Sequence, residues 1–366
     1  MRIFIVLVTC LLVSHTAGAA DRTFTDALGR VVSVPETVDR GICSGSGCLR
    51  LLTYLQAEDM IVGVDDMEGR RSKFAARPYA LANPQFKTMP IFGEFRGHDN
   101  PELILTLEPP PQVVLKTYTS SMGYDPQELQ DKTGIPVVAL NYGNLGDLRP
   151  ALYETLRLMG DIVGKTERAE EVIAFIDGAI ADLQSRTADI AAEQRPAVFL
   201  GGVAFKGPHG LQSTEPAYPP FVLLNANNRA FDPSFSQKEL SNSTVSKEQI
   251  VAWDPEYLFL DLATLQMGEG AGGLHELRTD PAYRLLSAVE NNRVFGVLPY
   301  NWYTANYGSI LANAYFIGTI LYPERFKDVD PRQKADEIYR FLVDKPVFGL
   351  MDDSFQNLVF RNIPVK

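Results

Sequence analysis

The stretch TERAEEVIAFIDGAIADLQSR, residues 166–186, decides how the remainder of the chain is read. Ala169, Val172, Ile173, Ile176, Ile180 and Leu183 recur at helical spacing and lay one apolar stripe along a helix. Glu170, Glu171 and Asp182 fall on its other face. Thr166 stands where a cap would accept from the first turn, and Glu167 where a carboxylate meets the positive helix end. At a rise of about 1.5 Å per residue such a helix is roughly 30 Å long, the width of a small domain. Gly164 ends the helix before it. Residues 165–190 therefore read as a rigid connector between two parts of the chain.

A strand–helix rhythm runs on both sides of that connector. Before it, runs rich in β-branched residues predict strands at 38–42, 61–64, 112–115 and 135–140, with helices at 48–57, 101–107, 124–133 and 147–163. After it, strands are predicted at 197–200, 257–260 and 293–297, and helices at 219–225, 247–252, 281–287, 309–321 and 331–343. Such alternation builds mostly parallel sheets with helices on both faces. A chain of 366 residues is also long for a single core. The expected fold is α/β: two doubly wound α/β lobes, residues 21–164 and 191–366, joined by a single long helix, with a ligand cleft between the lobes.

Residues 1–20 do not belong to that pattern. Arg2, an apolar run from Ile3 to Val13 and the small-residue ending Ala17-Gly18-Ala19 read as a cleavable secretory signal peptide. Cys10 lies inside the apolar run and not at the cleavage site, so no lipid anchor is expected. A periplasmic, soluble, monomeric protein follows. Its two remaining cysteines, Cys43 and Cys48, either form a disulfide over a tight loop or stay as two small, half-buried thiols. With a net charge of −11 and no Lys/Arg-rich block apparent, nucleic acid is not an expected partner.

Enzyme motifs fail on inspection. The segment from Gly160 to Thr166 imitates a phosphate-binding loop, but Met159 occupies the place of its first glycine and the segment joins two helices. Neither His-Glu-x-x-His nor Gly-x-Ser-x-Gly occurs. His98, His209 and His275 are far apart in sequence, so no local metal set can be read.

Five phrases in order carry a family resemblance. Residues Thr25 to Pro35 contain Asp26-Ala27-Leu28-Gly29-Arg30, and Ala57 to Val64 contain Asp59-Met60-Ile61-Val62-Gly63-Val64. Asn100-Pro101-Glu102-Leu103-Ile104 is followed by Leu107-Glu108-Pro109. Ser246-Lys247-Glu248-Gln249-Ile250 precedes Asp254-Pro255-Glu256, and Asn291-Asn292-Arg293-Val294 comes last. Together they resemble the periplasmic substrate-binding proteins of ABC importers, in the vitamin B12, iron-siderophore and haem class. Pro110 departs from the acidic residue usual in that class. The resemblance implies a membrane permease dimer as partner, docked through one carboxylate on each lobe at the positions of Glu102 and Glu248. Those carboxylates would equally suit the first turns of their helices.

The ligand is expected where strand-to-helix loops converge. Ser44, Gly45 and Ser46 follow the first strand, where glycines and hydroxyls at a helix start suit an anion. Phe95, Arg96 and His98 bring a ring, a cation and an imidazole into one loop, and Tyr118 follows the next strand. Lys206 and His209 occupy the mirror loop of the second half. Tyr300, Trp302, Tyr303 and Asn306 belong to an aromatic loop after the last strand, with Tyr300 and Tyr307 equally readable as core.

The leading expectation is import of a metal chelate such as ferric siderophore, haem or corrinoid, with the metal in the ligand and no cofactor of the protein's own. A small oxyanion such as molybdate or tungstate, or a bare metal ion, is the alternative ligand. A secreted metal-dependent hydrolase would need His98 and His209 clustered with carboxylates. A chaperone or adhesin using this fold would show an open groove without charge pairs.

Overall fold

The computed structural model describes residues 21–70, 72–121 and 123–365, and the expected leader, residues 1–20, lies outside them. A hairpin of β1 (Arg22–Thr25) and β2 (Val31–Val34) opens the fold. The first sheet holds β3 (Gly41–Ser44), β4 (Ile61–Asp65), β5 (Ile91–Glu94), β6 (His98–Asp99), β7 (Val113–Thr117) and β8 (Val137–Leu140) in the order β6-β5-β4-β3-β7-β8. All its pairings are parallel except β5 with β6. The second sheet, β11-β9-β13-β14, is wholly parallel and uses β9 (Ala197–Gly201), β11 (Asn227–Asn228), β13 (Tyr257–Asp261) and β14 (Val294–Val297). Short β10 (Ser213–Thr214) and β12 (Ser243–Thr244) pair beside it. The strands of both sheets are buried along most of their length, as in α/β sheets covered on both faces.

Each sheet reverses its strand order at one place. From β3 the chain moves outward to β4 and β5, then returns to the other side of β3 as β7 and β8. From β9 it moves to β11 and returns to β13. At such switch points the loops leave in opposite directions and open a crevice at the carboxyl ends of the strands.

The connector is a helix from Thr166 to Thr187. All six residues of its apolar stripe are buried, each large one contributing about 1.5–3 kcal/mol against exposure. It packs on the Arg149–Ile162 helix before it and on the Pro219–Leu223 and Tyr307–Leu321 helices after it. Thr166 does not cap it: Lys165 holds the cap position without a side-chain bond, and the Thr166 hydroxyl donates to Asp161 at 2.8 Å. Glu170, Glu171 and Asp182 each meet an arginine on the polar face, namely Arg157, Arg168 and Arg186.

Other differences are local. The segment around Phe92 is not a plain loop but the β5–β6 hairpin on the sheet edge. The helix expected at 281–287 is a 3-10 turn, Tyr283–Leu285, followed by Ser287–Glu290. The Pro331–Val343 helix packs on the Cys48–Tyr54 and Pro78–Ala82 helices beside the first sheet, so the long helix is not the sole link between the halves. One continuous apolar core runs from Val32 to Val365, and a smaller one around Ile42, Phe92 and Val114 lies on the other face of the first sheet.

Candidate functional site

Loops from both sheets meet in a cleft of two chambers. The larger has a volume of about 750 Å³ and the smaller about 450 Å³. Arg96, Ala204, Lys206 and Asn301 line both. The smaller chamber is rich in hydroxyls, with Ser46, Thr117, Tyr118, Thr119, Tyr142 and Thr304 around it. The larger mixes apolar wall, from Phe74, Leu81 and Trp302, with the cations Arg70, Arg77, Lys87, Arg96 and Lys206.

No Asp or Glu is among the described residues lining either chamber. In a chain of net charge −11 this is a local inversion of sign, and a cleft lined by one sign concentrates its field. Two of the cations are already paired: Arg70 with Asp66 at 2.6 Å and Arg77 with Glu68 at 2.8 Å. Lys87, Arg96 and Lys206 have no side-chain acceptor among the described residues. Phe95 does not line the cleft. Its ring meets two guanidiniums, 4.3 Å from Arg70 and 5.1 Å from Arg96, in cation–π contacts.

Ser46, Arg96, Tyr118, Lys206, Trp302 and Tyr303 therefore share one cleft, and the other expected residues stand elsewhere. Ser44 is fully buried on β3, where its hydroxyl donates to Asp99 at 2.6 Å and accepts from Lys116. Lys116, also fully buried, bonds Asp99 at 2.5 Å and the Gly97 carbonyl at 3.0 Å, which closes a polar knot beneath the cleft floor. Gly45 has φ +82, and a Cβ there would lie 2.1 Å from the Thr117 carbonyl oxygen, so it packs on β7 and does not face ligand. His98 sits opposite Glu94 across the hairpin and lines a different groove with Glu102 and Lys132. His209 shares a 2.7 Å bond with the Phe205 carbonyl and fixes its own loop. Tyr300 is buried and donates to Glu215 at 2.7 Å. Asn306 is buried and satisfies backbone carbonyls of the aromatic loop. Among the described residues no three His, Cys, Asp or Glu side chains group as a metal-holding set.

Cys43 and Cys48 are free thiols and not a disulfide. Cys48 donates to the Leu115 carbonyl at 3.2 Å, and burial raises the Cys43 thiol well above its ordinary range. Both fill core space between β3 and the following helix.

Three carboxyl groups near the cleft are held toward the protonated form. Burial lifts Asp65 to about 7, against the hydrogen bond it accepts from Tyr303. Burial lifts Glu215 to about 8 and Asp261 to about 7. Glu102 and Glu248 are both exposed, one in the first turn of the Pro101–Leu105 helix and the other in that of Lys247–Trp253. Asn100 and Ser246 provide the caps of these helices.

Residues 46–299 match a family model described as periplasmic binding protein, which spans more than two thirds of the sequence. The chain belongs to the periplasmic binding protein family. It is 24% identical over 367 positions to the molybdate-binding protein MolA of Haemophilus influenzae, covering 93% of this chain and 96% of that one. The structure of MolA bound to molybdate superposes with a TM-score of 0.66 at 20% identity, over 89% of this chain and 99% of the other. A periplasmic solute binding protein of Veillonella parvula gives 0.68 at 18% identity, over 94% and 100%. The TroA-like periplasmic binding protein FepB of the same organism gives 0.60 at 18%, over 88% and 96%. This periplasmic binding protein thus has the two-lobe fold of solute-binding components of ABC transporters, and its relatives are binding proteins rather than enzymes. Among the described residues no helix is long and apolar enough to cross a membrane.

Several cleft residues escaped the reading of the sequence. Arg70 and Arg77 line the larger chamber and stand at the two ends of an eight-residue run whose sequence holds four cations, a charge block legible in an acidic chain. Tyr142 and Asn301 carry no local signal, since only the meeting of the lobes gives them a role.

Proposed function

We propose that this protein captures an anionic metal chelate of siderophore size in the periplasm and hands it to the permease of an ABC importer. The observation that carries this reading is the larger chamber. Its cations, with no lining carboxylate among the described residues, suit a ligand of several negative charges, and its apolar wall suits a planar or aromatic ligand body. At about 750 Å³ it holds far more than a tetrahedral oxyanion. Glu102 and Glu248, exposed beside different sheets, would dock basic sockets of the permease. The test is native mass spectrometry of the protein from its own periplasm, followed by calorimetric titration with a ferric catecholate. A retained chelate mass and tight titration support the reading.

The smaller chamber favours one other ligand. Hydroxyls of Ser46, Thr117, Tyr118 and Thr119 with Arg96 and Lys206 resemble the donor set a tetrahedral oxyanion takes, and the relative MolA binds molybdate. Tight binding of molybdate or tungstate without any binding of the chelate would overturn the chelate reading and install this one.

A further inference from the structure

Arg50 is a cleft-side cation that cannot reach the ligand. It lies on the Cys48–Tyr54 helix and is 1% exposed. Its Nε donates to Asn306 Oδ1 at 2.9 Å. One terminal nitrogen donates to the Tyr142 hydroxyl and to the Ala305 carbonyl, the latter at 3.0 Å. The other donates to the carbonyls of Trp302 at 3.0 Å and Tyr303 at 2.9 Å. A guanidinium has five N–H groups, and all five are used. Four of the five acceptors belong to residues 302–306, across the boundary from Arg50's own sheet. None of them is a carboxylate.

A buried charge without an anion is costly, so its persistence calls for a compensating structural need. That need lies in the loop it holds. Tyr303 and Thr304 are consecutive non-glycine residues with φ of 52° and 61°. The left-handed region disfavours any L-residue and most of all a β-branched one such as Thr304. Asn306 gathers the carbonyls of Tyr300 and Trp302 from the inside, and Arg50 gathers those of Trp302, Tyr303 and Ala305 from the first lobe.

We infer that Arg50 is the positioning residue that holds the strained 302–306 loop in place, so that Trp302 and Tyr303 form a preformed wall of the ligand cleft. This rests on the proposed binding role for its effect on affinity, but the loop itself can be observed without ligand. The protein has two tryptophans, Trp253 and Trp302. Trp253 packs on Phe199, away from the cleft. In a Trp253→Phe background, emission and acrylamide quenching report Trp302 alone.

Arg50→Gln in that background should shift Trp302 emission to longer wavelength and raise its quenching, while cooperative unfolding is retained. Affinity for a ferric catecholate probe should weaken about tenfold, the factor that 1.4 kcal/mol makes. Arg50→Lys, with three donors, should fall between the two. Unchanged Trp302 emission and quenching in a folded Arg50→Gln protein overturns the inference. Should Arg50→Gln fail to fold, Arg50→Lys and Tyr142→Phe carry the same test, and an unmoved Trp302 in both overturns it. If Trp302 moves but neither parent nor variant binds the probe, the ligand reading fails and the loop-holding role stands.

Discussion

Arg96 and Lys206 approach the same two chambers from opposite sheets, each from a residue with positive φ, 63° and 56°, and neither has a side-chain acceptor among the described residues. A pair placed in this way can close on one anion from two sides. Replacing either by Ala should weaken binding of an anionic chelate about tenfold. Replacing both should also flatten the salt dependence of the association rate, because steering charges act chiefly on encounter. Titration calorimetry and stopped-flow binding at two salt concentrations check this. An unchanged affinity in the double variant would remove the electrostatic basis of the proposed function.

Ser44 separates a structural hydroxyl from a ligand contact. Ser44→Ala should cost about 1–3 kcal/mol in urea unfolding and leave ligand affinity unaltered, since Asp99 Oδ1 loses its donor and Lys116 one of its acceptors in a buried site away from the ligand. Lys116→Met should cost far more, about 3–5 kcal/mol, because Asp99 would then be buried without its partner.

Stability should fall with rising pH through the neutral range. Unfolded, Asp65, Glu215 and Asp261 titrate near pH 4. Folded, Asp65 and Asp261 reach about 7 and Glu215 about 8. Between those limits the folded chain keeps protons that the unfolded chain has released, so this contribution is complete below about pH 4 and lost by about pH 8. Melting temperatures measured across that window should decline, and Glu215→Gln should flatten the upper part of the decline. A melting temperature that climbs steadily to pH 8 contradicts the assignment.

In the proposed docking role, Glu102 and Glu248 serve the partner and not the ligand. Reversing both to Lys should abolish uptake in a transport assay while the calorimetric affinity stays within experimental error. Undiminished uptake would remove the docking role.

The fold could be read because its signals are local. The stripe from Ala169 to Leu183 fixes a helix without reference to anything else, and the Pro331–Val343 helix announces its start with Asp330 and Pro331. The β5–β6 hairpin escaped because Gly93 and Gly97 break the alternation that would have marked it. The site was harder for a different reason. The loop after β3 carries both Ser44 and Ser46, and nothing in the sequence tells which hydroxyl the other lobe will leave open to solvent. Tyr300 and Trp302 pose the same ambiguity: one turns inward to Glu215, the other reaches the cleft. Arg50 went unnoticed because an arginine in a helix ordinarily reads as surface, and only its acceptors from residues 302–306 explain its burial.

The last stretch of the chain touches both halves in turn. Ser354 bonds Ala75 beside the first sheet, its hydroxyl accepting from the Ala75 amide at 3.1 Å, and a few residues later Val359 and Asn362 bridge to Gly296 and Phe295 on the edge strand of the second. The two halves are thus laced together at a seam as well as bolted by a rod. A protease nick between them should leave fragments that co-migrate until denatured. Any opening of the mouth must shear this seam, so ligand entry should be read out as a small rocking motion and not as the wide swing of a clamshell on a free hinge.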